Sequence, residues 1–233
     1  MRIAIISDSH GNLTALDAVL DELDRTGPYD QVLMGGDIAY GGPFPAECTQ
    51  RIIDRGYPAV RGNTEQMVID AAASSGDAHA NWVVEQLSGS QLAFLQSLPV
   101  QHDEPVGGDR TLGLVHATPW SIYDSIAPDA GDFEFRRMIA EAGVPFLAYG
   151  HIHLQHQRAV DNGTVVGVGS LGLPFDGDQR AMFTVIDAGG GGFNVEFRRL
   201  EYDVEKAITE AKTRGGPNGE AFATNLNRAL RPN

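Results

Sequence analysis

Cysteine is almost absent from the chain, since Cys48 is the only one among 233 residues. A single thiol cannot form an internal disulfide, and it cannot supply the several thiolates of a structural zinc cluster. Cys48 lies within the helical pattern PAECTQRIIDRG, where we expect a small buried side chain. Stability must therefore come from a hydrophobic core, and a hydrophobic content of 42% is sufficient for one.

Basic residues are also scarce. The 17 lysines and arginines are outnumbered by 31 aspartates and glutamates, which gives a formal net charge of −14. Binding of long nucleic acids depends on clustered Lys and Arg that displace counterions, and the sequence has no such cluster. The balance argues against long nucleic acid as a partner and is typical of a solvated acidic surface. A small phosphate compound can still bind where a local cationic centre outweighs the negative potential of this surface.

Long apolar runs are missing as well. No segment approaches the ~18 to 20 apolar residues that a membrane-spanning helix needs. The first apolar stretch, RIAII, is soon interrupted by the charged Asp8, so it lacks the apolar core of a signal peptide. We therefore expect a cytoplasmic protein without a membrane partner, and the sequence leaves its oligomeric state open.

Five short apolar runs indicate buried strands, because they are rich in Val, Ile and Leu and show no regular alternation. They are RIAII, QVLMG, YPAV, TLGLV and PFLAY. Helical patterns lie between the first of them. Leucines recur at helical spacing from Leu13 to Leu23, and PAECTQRIIDRG begins at Pro45 and stops at Gly56. This alternation predicts parallel β-α-β units and an α/β fold.

The alternation of strand and helix patterns ends after residue 64. Residues 65–99 predict two or three helices, one of them capped by Ser88 or Ser90, and we interpret them as a helical insertion over one edge of the site. A further helix is expected between Gly131 and Gly143.

The C-terminal part has a different character. The closely spaced segments GTVVGVGS, RAMFTVID and FNVEFRRLEYD predict an antiparallel sheet, and DVEKAITEAKTRG predicts a late helix. We expect one domain over residues 1–212, followed over 213–233 by a polar tail or a short surface helix.

A polar block follows directly after each of the five apolar runs. Because the carboxyl ends of parallel strands lie at one edge of a sheet, these blocks are expected to converge. They offer seven oxygen or nitrogen donors and no sulfur, namely Asp8, His10, Asp37, Asn63, His116, His151 and His153. Such a set is too large for one zinc ion and suits two ions of the Mn, Fe, Zn, Co or Ni type, with Asp37 able to bridge them.

Each block is weak evidence by itself. His151 and His153 alone could be two solvated side chains on one face of a strand. The histidines His79, His102 and His156 fit no block. The evidence for a metal site is therefore the ordered series of five blocks.

In chain order the blocks read Asp-x-His, Gly-Asp, Gly-Asn, a single His, and Gly-His-x-His. This series, from Asp8 to His153, resembles the calcineurin-like metallophosphoesterase family. The segments GDIAYGGPFPAE and VGSLGLPFDGDQRAMFTVID are similar to its small bacterial branch, near YfcE-like and diadenosine-tetraphosphatase-like members. The resemblance implies a four-layer α/β/β/α sandwich. It also implies a first metal held by Asp8, His10, Asp37 and His153, and a second held by Asp37, Asn63, His116 and His151. We expect manganese in particular, because four imidazoles are poor ligands for a hard ion such as Mg²⁺.

The implied activity is hydrolysis of phosphodiesters of a small phosphate or nucleotide substrate, with phosphomonoesters left open. Two such cations lower the pKa of a shared water and neutralise the phosphoryl oxygens. Asp37, Asn63 and His116 are then expected to be catalytic as well as ligating, and Arg61 is a further candidate catalytic residue. Arg61, beside a ligand block, is expected either to clamp a phosphate oxygen or to pair with Glu65. Tyr40 and Trp120 follow ligand blocks closely and are candidate substrate contacts.

Two departures from the family pattern are visible. Many members carry a histidine directly after Gly-Asn that assists the leaving group, whereas this chain has Thr64, whose hydroxyl cannot act as a general acid near neutral pH. Where relatives often show Asn-Pro-Gly-Ser, residues 167–170 read GVGS, which we expect to alter a turn and not the chemistry.

Other functions remain open at this point. A catalytically silent scaffold that binds protein, as the retromer subunit of this superfamily does, would use the same fold. A protein phosphatase or a dinucleoside polyphosphate hydrolase would use the same site. The intact donor set favours a hydrolase over a scaffold.

Overall fold

The computed structural model describes residues 1–189 and 192–231. Within this part of the chain, nine strands and eight α-helices build two β-sheets and the layers that cover them. In chain order the elements are β1 (Arg2–Ile6), α1 (Leu13–Thr26), β2 (Gln31–Met34), α2 (Pro45–Arg55), α3 (Asn63–Ala73), α4 (Ala78–Gln86), α5 (Gly89–Ser97), β3 (Gln101–Pro105), β4 (Thr111–Val115), α6 (Asp132–Ala142), β5 (Phe146–Tyr149), β6 (Gln155–Val160), β7 (Gly163–Val168), β8 (Ala181–Gly189), β9 (Gly192–Leu200), α7 (Val204–Arg214) and α8 (Gly219–Arg228).

The first sheet has the strand order β2-β1-β8-β9, and the second has the order β3-β4-β5-β7-β6. Strands β1 and β2, joined through α1, are parallel, and so are β4 and β5, joined through α6. The predicted parallel β-α-β units are therefore confirmed.

The two sheets pack face to face through apolar side chains. Ile3 and Ile5 of β1 lie between the sheets with Leu112 and Leu114 of β4, while Ile6 of β1 points to the helices on the other side. Helices α1 and α2 cover the first sheet, and α6 covers the second. Because β1 is buried on both faces, it lacks alternation of apolar and polar residues. The expected four-layer α/β/β/α sandwich is confirmed.

Several helix ends lie where local sequence signals predict them. Pro45 begins α2, and Gly56 ends it in a left-handed conformation with φ of 63°. Ser88 caps α5 by accepting the N–H of Gln91, whose side chain accepts the N–H of Ser88 in return. Gly143 ends α6 with φ of 70°. These predicted boundaries are confirmed.

One predicted strand is wrong. The segment YPAV makes only an isolated bridge between Ala59 and Met34, although the Val60 N–H donates to the Met34 carbonyl and the Met34 N–H donates to Pro58. Proline has no N–H to donate, so Pro58 limits a ladder at this position.

Strands β3 and β6 were not predicted. Their sequences, QHDEP and QHQRAV, are polar, and both strands lie at the edges of the second sheet. An edge strand pairs on one side only and tolerates charged side chains, so it carries little hydrophobic signal.

The predicted C-terminal antiparallel sheet is correct for β8 and β9 but not for β7. Strands β8 and β9 pair antiparallel in the first sheet, whereas β7 belongs to the second sheet, where it runs antiparallel to β6 but parallel to β5. Which sheet a strand joins depends on packing between layers, and its own sequence does not encode this.

Residues 213–231 contain helix α8, preceded by a short 3₁₀ turn at Gly216–Asn218. Phe222 and Leu226 of α8 pack against α7. The division of the chain at residue 212 stays a prediction. Within the described residues, none of the helices combines the length and apolar character required to cross a bilayer.

Candidate metal centre

The seven predicted donor side chains meet at one edge of the two sheets. Asp8 and His10 follow β1, Asp37 follows β2, and His116 follows β4. His151 and His153 follow β5, and Asn63 is the first residue of α3. The predicted convergence of strand ends is thus what the fold produces.

One group of donors surrounds Asp8. The Nε2 atom of His153 lies 3.1 Å from Asp8 Oδ1 and 3.1 Å from Nε2 of His10. Nε2 of His10 is 3.8 Å from Asp8 Oδ1 and 3.6 Å from Asp37 Oδ2. All four side chains are almost completely buried.

A second group surrounds Asn63. Its Oδ1 atom is 3.0 Å from Nε2 of His116 and 3.0 Å from Nδ1 of His151. The two imidazole nitrogens are 3.3 Å apart, and His116 Nε2 is 3.4 Å from Asp37 Oδ1. Asp37 thus directs one carboxylate oxygen toward each group.

The proton positions favour a cation at this place. Nδ1 of His10, of His116 and of His153 each faces a backbone carbonyl oxygen, which requires a proton on that nitrogen. The carbonyl groups are those of Tyr40 at 2.8 Å, Gly35 at 2.8 Å, and Leu173. In a neutral ring, Nε2 then presents a lone pair. Inside the cluster, these Nε2 atoms face carboxylate oxygens and one another, so hydrogen-bond acceptors face acceptors. A cation satisfies such an arrangement, and the mixed oxygen and nitrogen donors fit a divalent transition metal.

The electrostatics agree with this interpretation. Burial lowers the pKa of His116, but the charge and hydrogen bond of Asp37 and the charge of Asp8 outweigh it and raise the pKa to about 10. Burial raises the pKa of Asp8 and of Asp37, yet neighbouring imidazoles bring both pKa values below the ordinary range. The two carboxylates therefore stabilise positive charge next to His116, whereas burial lowers the pKa of His10 and of His151 and keeps these rings neutral donors.

Glycines allow the donor loops to approach each other closely. A Cβ atom added to Gly62 would overlap Oδ1 of Asp37, and one added to Gly150 would overlap Oδ2 of Asp8. The glycines that precede Asn63 and His151 in their blocks are thus sterically required.

A cleft of about 300 Å³ opens onto the donors. Its lining consists of His10, Asp37, Asn63, Thr64, Ser125, His151, Ile152, His153, Leu173, Phe175 and Arg231. A larger and more open depression of about 720 Å³ lies beside Arg180 and Tyr202, but none of its lining residues belongs to the donor set. The chemistry therefore places the candidate site in the smaller cleft.

Comparison with known families agrees with the geometry. The model of the calcineurin-like phosphoesterase superfamily domain matches residues 1–189. The chain belongs to this superfamily. The superfamily is one of phosphoesterases, and the chain carries groups that could hold a metal ion, so the predicted class of phosphoric ester hydrolase is supported at this level.

Individual relatives are similar to this chain over nearly its whole length. An uncharacterised protein of Methanocaldococcus jannaschii is 31% identical over 225 residues, 88% of this chain and 89% of that protein. The crystal structure of a metallophosphoesterase from Sphaerobacter thermophilus has a TM-score of 0.78 at 28% identity, over 99% of both chains. A hypothetical protein from Pyrococcus horikoshii has a TM-score of 0.87 at 22% identity, again over 99% of both chains, and shows the same fold. The predicted family resemblance is confirmed by the superfamily match, and solved structures of the same fold also include YfcE of E. coli and a putative diadenosine tetraphosphatase.

Three predicted substrate-contact residues of the phosphoesterase do not line the cleft. The guanidinium of Arg61 donates to the side chain of Gln66 at 3.2 Å and to the backbone carbonyl of Gln96 at 2.8 Å. The hydroxyl of Tyr40 donates to Asp77, and Tyr40 serves the site through the carbonyl that orients His10.

Trp120 is the third of these residues. Its indole N–H donates to Asp124, and the guanidinium carbon of Arg137 lies 3.8 Å from its ring centroid. A substrate role for Trp120, as for Arg61 and Tyr40, stays a prediction without support from the cleft geometry.

Glu65 was missed as a site residue. Its buried carboxylate accepts the N–H groups of Asp37, Ile38 and Gly62 at 2.7 to 2.8 Å, so it fastens the start of α3 to the Asp37 loop. Burial and the nearby charge of Asp37 raise the pKa of Glu65 to about 7. Its position three residues after Gly62, at the start of a helix, was the available signal for this capping role.

The loop between β7 and β8 was missed as well. Ser170 donates its hydroxyl to the carbonyl of Asp8 at 2.8 Å, and Leu173 accepts from His153. The ring of Phe175 stacks on the His153 imidazole with centroids 4.1 Å apart. These contacts join residues about 20 or more positions apart, so no local sequence pattern predicts them.

Proposed function

We propose that the protein hydrolyses small organic phosphodiesters with two divalent transition-metal ions bound by the seven donors. The supporting observation is the Asp37 carboxylate, which directs one oxygen toward the Asp8 group and the other toward the Asn63 group. A carboxylate between two sets of nitrogen and oxygen acceptors suits a bridging ligand. Manganese is the proposed metal.

When bound, the two cations would supply Lewis-acid charge for the phosphoryl oxygens and lower the pKa of a water molecule. The chain contributes the negative charge of Asp8 and Asp37 that holds them. Backbone carbonyls that accept from the Nδ1 atoms fix the orientation of three imidazole rings. The buried donors need little rearrangement to bind.

The cleft suits a small substrate with an apolar group next to the phosphate. Its volume of about 300 Å³ lies at the lower end of ligand pockets. Ile152, Leu173 and Phe175 line it alongside the donors. Thr64 occupies the position of the family's leaving-group histidine, so a diester with an acidic leaving group is favoured over an alkyl monoester.

The decisive experiment starts from protein stripped by a chelator and then supplied with Mn²⁺ or Mg²⁺. We expect no turnover of bis(p-nitrophenyl) phosphate in the stripped protein, restoration by Mn²⁺ and weaker restoration by Mg²⁺, because four imidazoles are poor ligands for a hard cation. p-Nitrophenyl phosphate should be the slower substrate.

Two results would contradict this proposal. Tight binding of two metals without turnover of any phosphate ester would support the scaffold alternative. Equal restoration by Mg²⁺ would argue against an imidazole-rich centre.

A further inference from the structure

Arg231 is the only lysine or arginine among the described residues that line the cleft. It is exposed, whereas five of the seven donors are buried and Asn63 and His151 are partly buried. The sequence pointed to Arg61 for a phosphate contact, but the Arg61 guanidinium is bound to Gln66 and Gln96. The cationic side chain of the cleft therefore comes from the opposite end of the chain.

The end of α8 is held in place beside the cleft by the loop between β7 and β8. The N–H of Gly177 donates to the carbonyl of Ala229 at 2.8 Å, and Asp176 forms a β-bridge with Leu230. Ala229 has φ of 49°, so the backbone leaves the helix axis at this residue.

The same loop continues to the metal centre. Leu173 accepts from His153, and Phe175 stacks on the His153 ring. Asp176, which bridges to Leu230, directly follows Phe175. One short loop thus fixes both a metal-donor imidazole and the backbone next to Arg231.

A cation at this rim favours substrate binding, in addition to the charge of the proposed metals. The chain has a formal net charge of −14, which repels an anionic ester. A guanidinium can donate two parallel hydrogen bonds to phosphoryl oxygens, and its charge is permanent.

We propose that Arg231 is a substrate-binding residue that contacts the anionic phosphoryl group of the ester. This inference rests on the proposed phosphodiesterase function and adds a residue outside the 1–189 segment that matches the superfamily. The superfamily fold supplies the metal donors, and the segment after α8 supplies the cation that retains the substrate.

The test compares Arg231→Ala and Arg231→Lys with Arg228→Ala, an exposed arginine at the end of α8 that does not line the cleft. With Mn²⁺ present, the measurements are KM and kcat for bis(p-nitrophenyl) phosphate, bound metal, and the affinity for inorganic phosphate by calorimetry. Arg231→Ala should raise KM and weaken phosphate binding roughly 10-fold, with kcat changed less than about threefold. Arg231→Lys should retain part of the affinity, and Arg228→Ala should match the parent. Bound metal should be equal in all four proteins.

Calorimetry separates this inference from the proposed function. If the parent binds phosphate and Arg231→Ala binds it more weakly, the contact stands even where no ester is cleaved. Equal phosphate affinity in parent and Arg231→Ala overturns it, as does a metal-loaded parent that binds no phosphate. Loss of bound metal in Arg231→Ala would also overturn it, because the arginine would then support the metal centre and not the substrate.

Discussion

Five donor residues have backbone conformations that residues other than glycine rarely adopt. The φ angles are 56° at Asp8, 48° at His10, 54° at Asp37, 63° at His151 and 58° at His153. Each costs on the order of 1 kcal/mol or more, and such strain persists only where the surrounding structure fixes it. At this site the unusual backbone turns the side chains of closely spaced residues inward, so that His151 and His153 join different donor groups.

Asp37 is the residue whose loss should affect both donor groups together. Asp37→Asn removes the negative charge that faces His10 and His116, so we expect loss of bound metal and a fall in turnover of more than about 100-fold. Metal content by elemental analysis and turnover with Mn²⁺ measure this. Asp54→Asn, an exposed change on α2, is the matched control. Two equivalents of metal and near-normal turnover in Asp37→Asn would exclude the bridging role.

Thr64 bears on proton donation to the leaving group. Its side chain lines the cleft and is 6% exposed, and its hydroxyl has no hydrogen-bond partner among the described residues. We expect the parent rate to fall steeply as the leaving-group pKa rises. Thr64→His should flatten this dependence and raise the rate for poor leaving groups by up to about 100-fold.

The control for this change is Thr64→Val, which removes only the hydroxyl and should leave the steep dependence unaltered. The measurement is the rate for a series of aryl diesters of graded leaving-group pKa. A flat dependence in the parent would mean that another group, such as His116 or His151, already supplies the proton.

Among the secondary-structure elements, helix α4 of the predicted insertion supports the site. His79 on α4 accepts the N–H of Gly41 at 3.1 Å and stacks against Trp82. Gly41 follows Tyr40, whose carbonyl accepts from His10. The insertion thus holds the loop that orients one of the donor imidazoles.

The protonation of His79 should make this contact sensitive to acid. Burial lowers the pKa of His79 to about 4, and the opposing charge of Asp77 does not offset this. Between that pKa and the ordinary value of 6.5, the unfolded chain binds the proton that the folded chain excludes, so stability falls as pH decreases from about 6.5 to 4. We expect this loss to be on the order of 2 kcal/mol.

The measurement is urea unfolding at pH 7 and pH 4.5 in the presence of chelator, for the parent and His79→Gln. The glutamine side chain can still accept the N–H of Gly41 but does not titrate. The variant should therefore lose less stability on acidification than the parent. An identical loss in both proteins would show that His79 does not contribute to acid sensitivity. His102→Gln, which changes a histidine on the edge strand β3, is the control.

At the scale of the whole molecule, helices α7 and α8 lie beyond the superfamily match and share one apolar cluster. Leu226 is fully buried and Phe222 is 4% exposed within the cluster that joins these helices to Leu173 and Phe175. The cluster therefore packs against the loop that contacts His153.

Leu226→Ala should therefore lower the free energy of unfolding by about 2 to 4 kcal/mol, since it leaves a cavity between α8 and its neighbours. Urea unfolding measures the change, and Thr224→Ala, at an exposed position of the same helix, should alter stability far less. An unchanged unfolding midpoint in Leu226→Ala would mean that residues 213–233 behave as the polar tail that their composition predicts.

The sequence by itself determined the order of strands and helices in the β-α-β units and the seven donor residues. Apolar runs, Pro45, Gly56 and the glycines beside the donors act within a few residues, so their effects can be read from neighbouring positions. The carboxyl ends of parallel strands meet by topology, so the convergence of the donor blocks also followed from the pattern.

Only the tertiary structure decided which cation reaches the cleft, which sheet β7 joins, and which groups orient the imidazoles. Arg61 adjoins a donor in sequence yet binds Gln96, whereas Arg231 is distant in sequence and lines the cleft. The direction of a side chain depends on partners supplied by other layers of the fold, and their distances are set by packing between the sheets and helices. Such contacts leave no periodic trace in the chain, because they join positions whose separation in sequence is arbitrary.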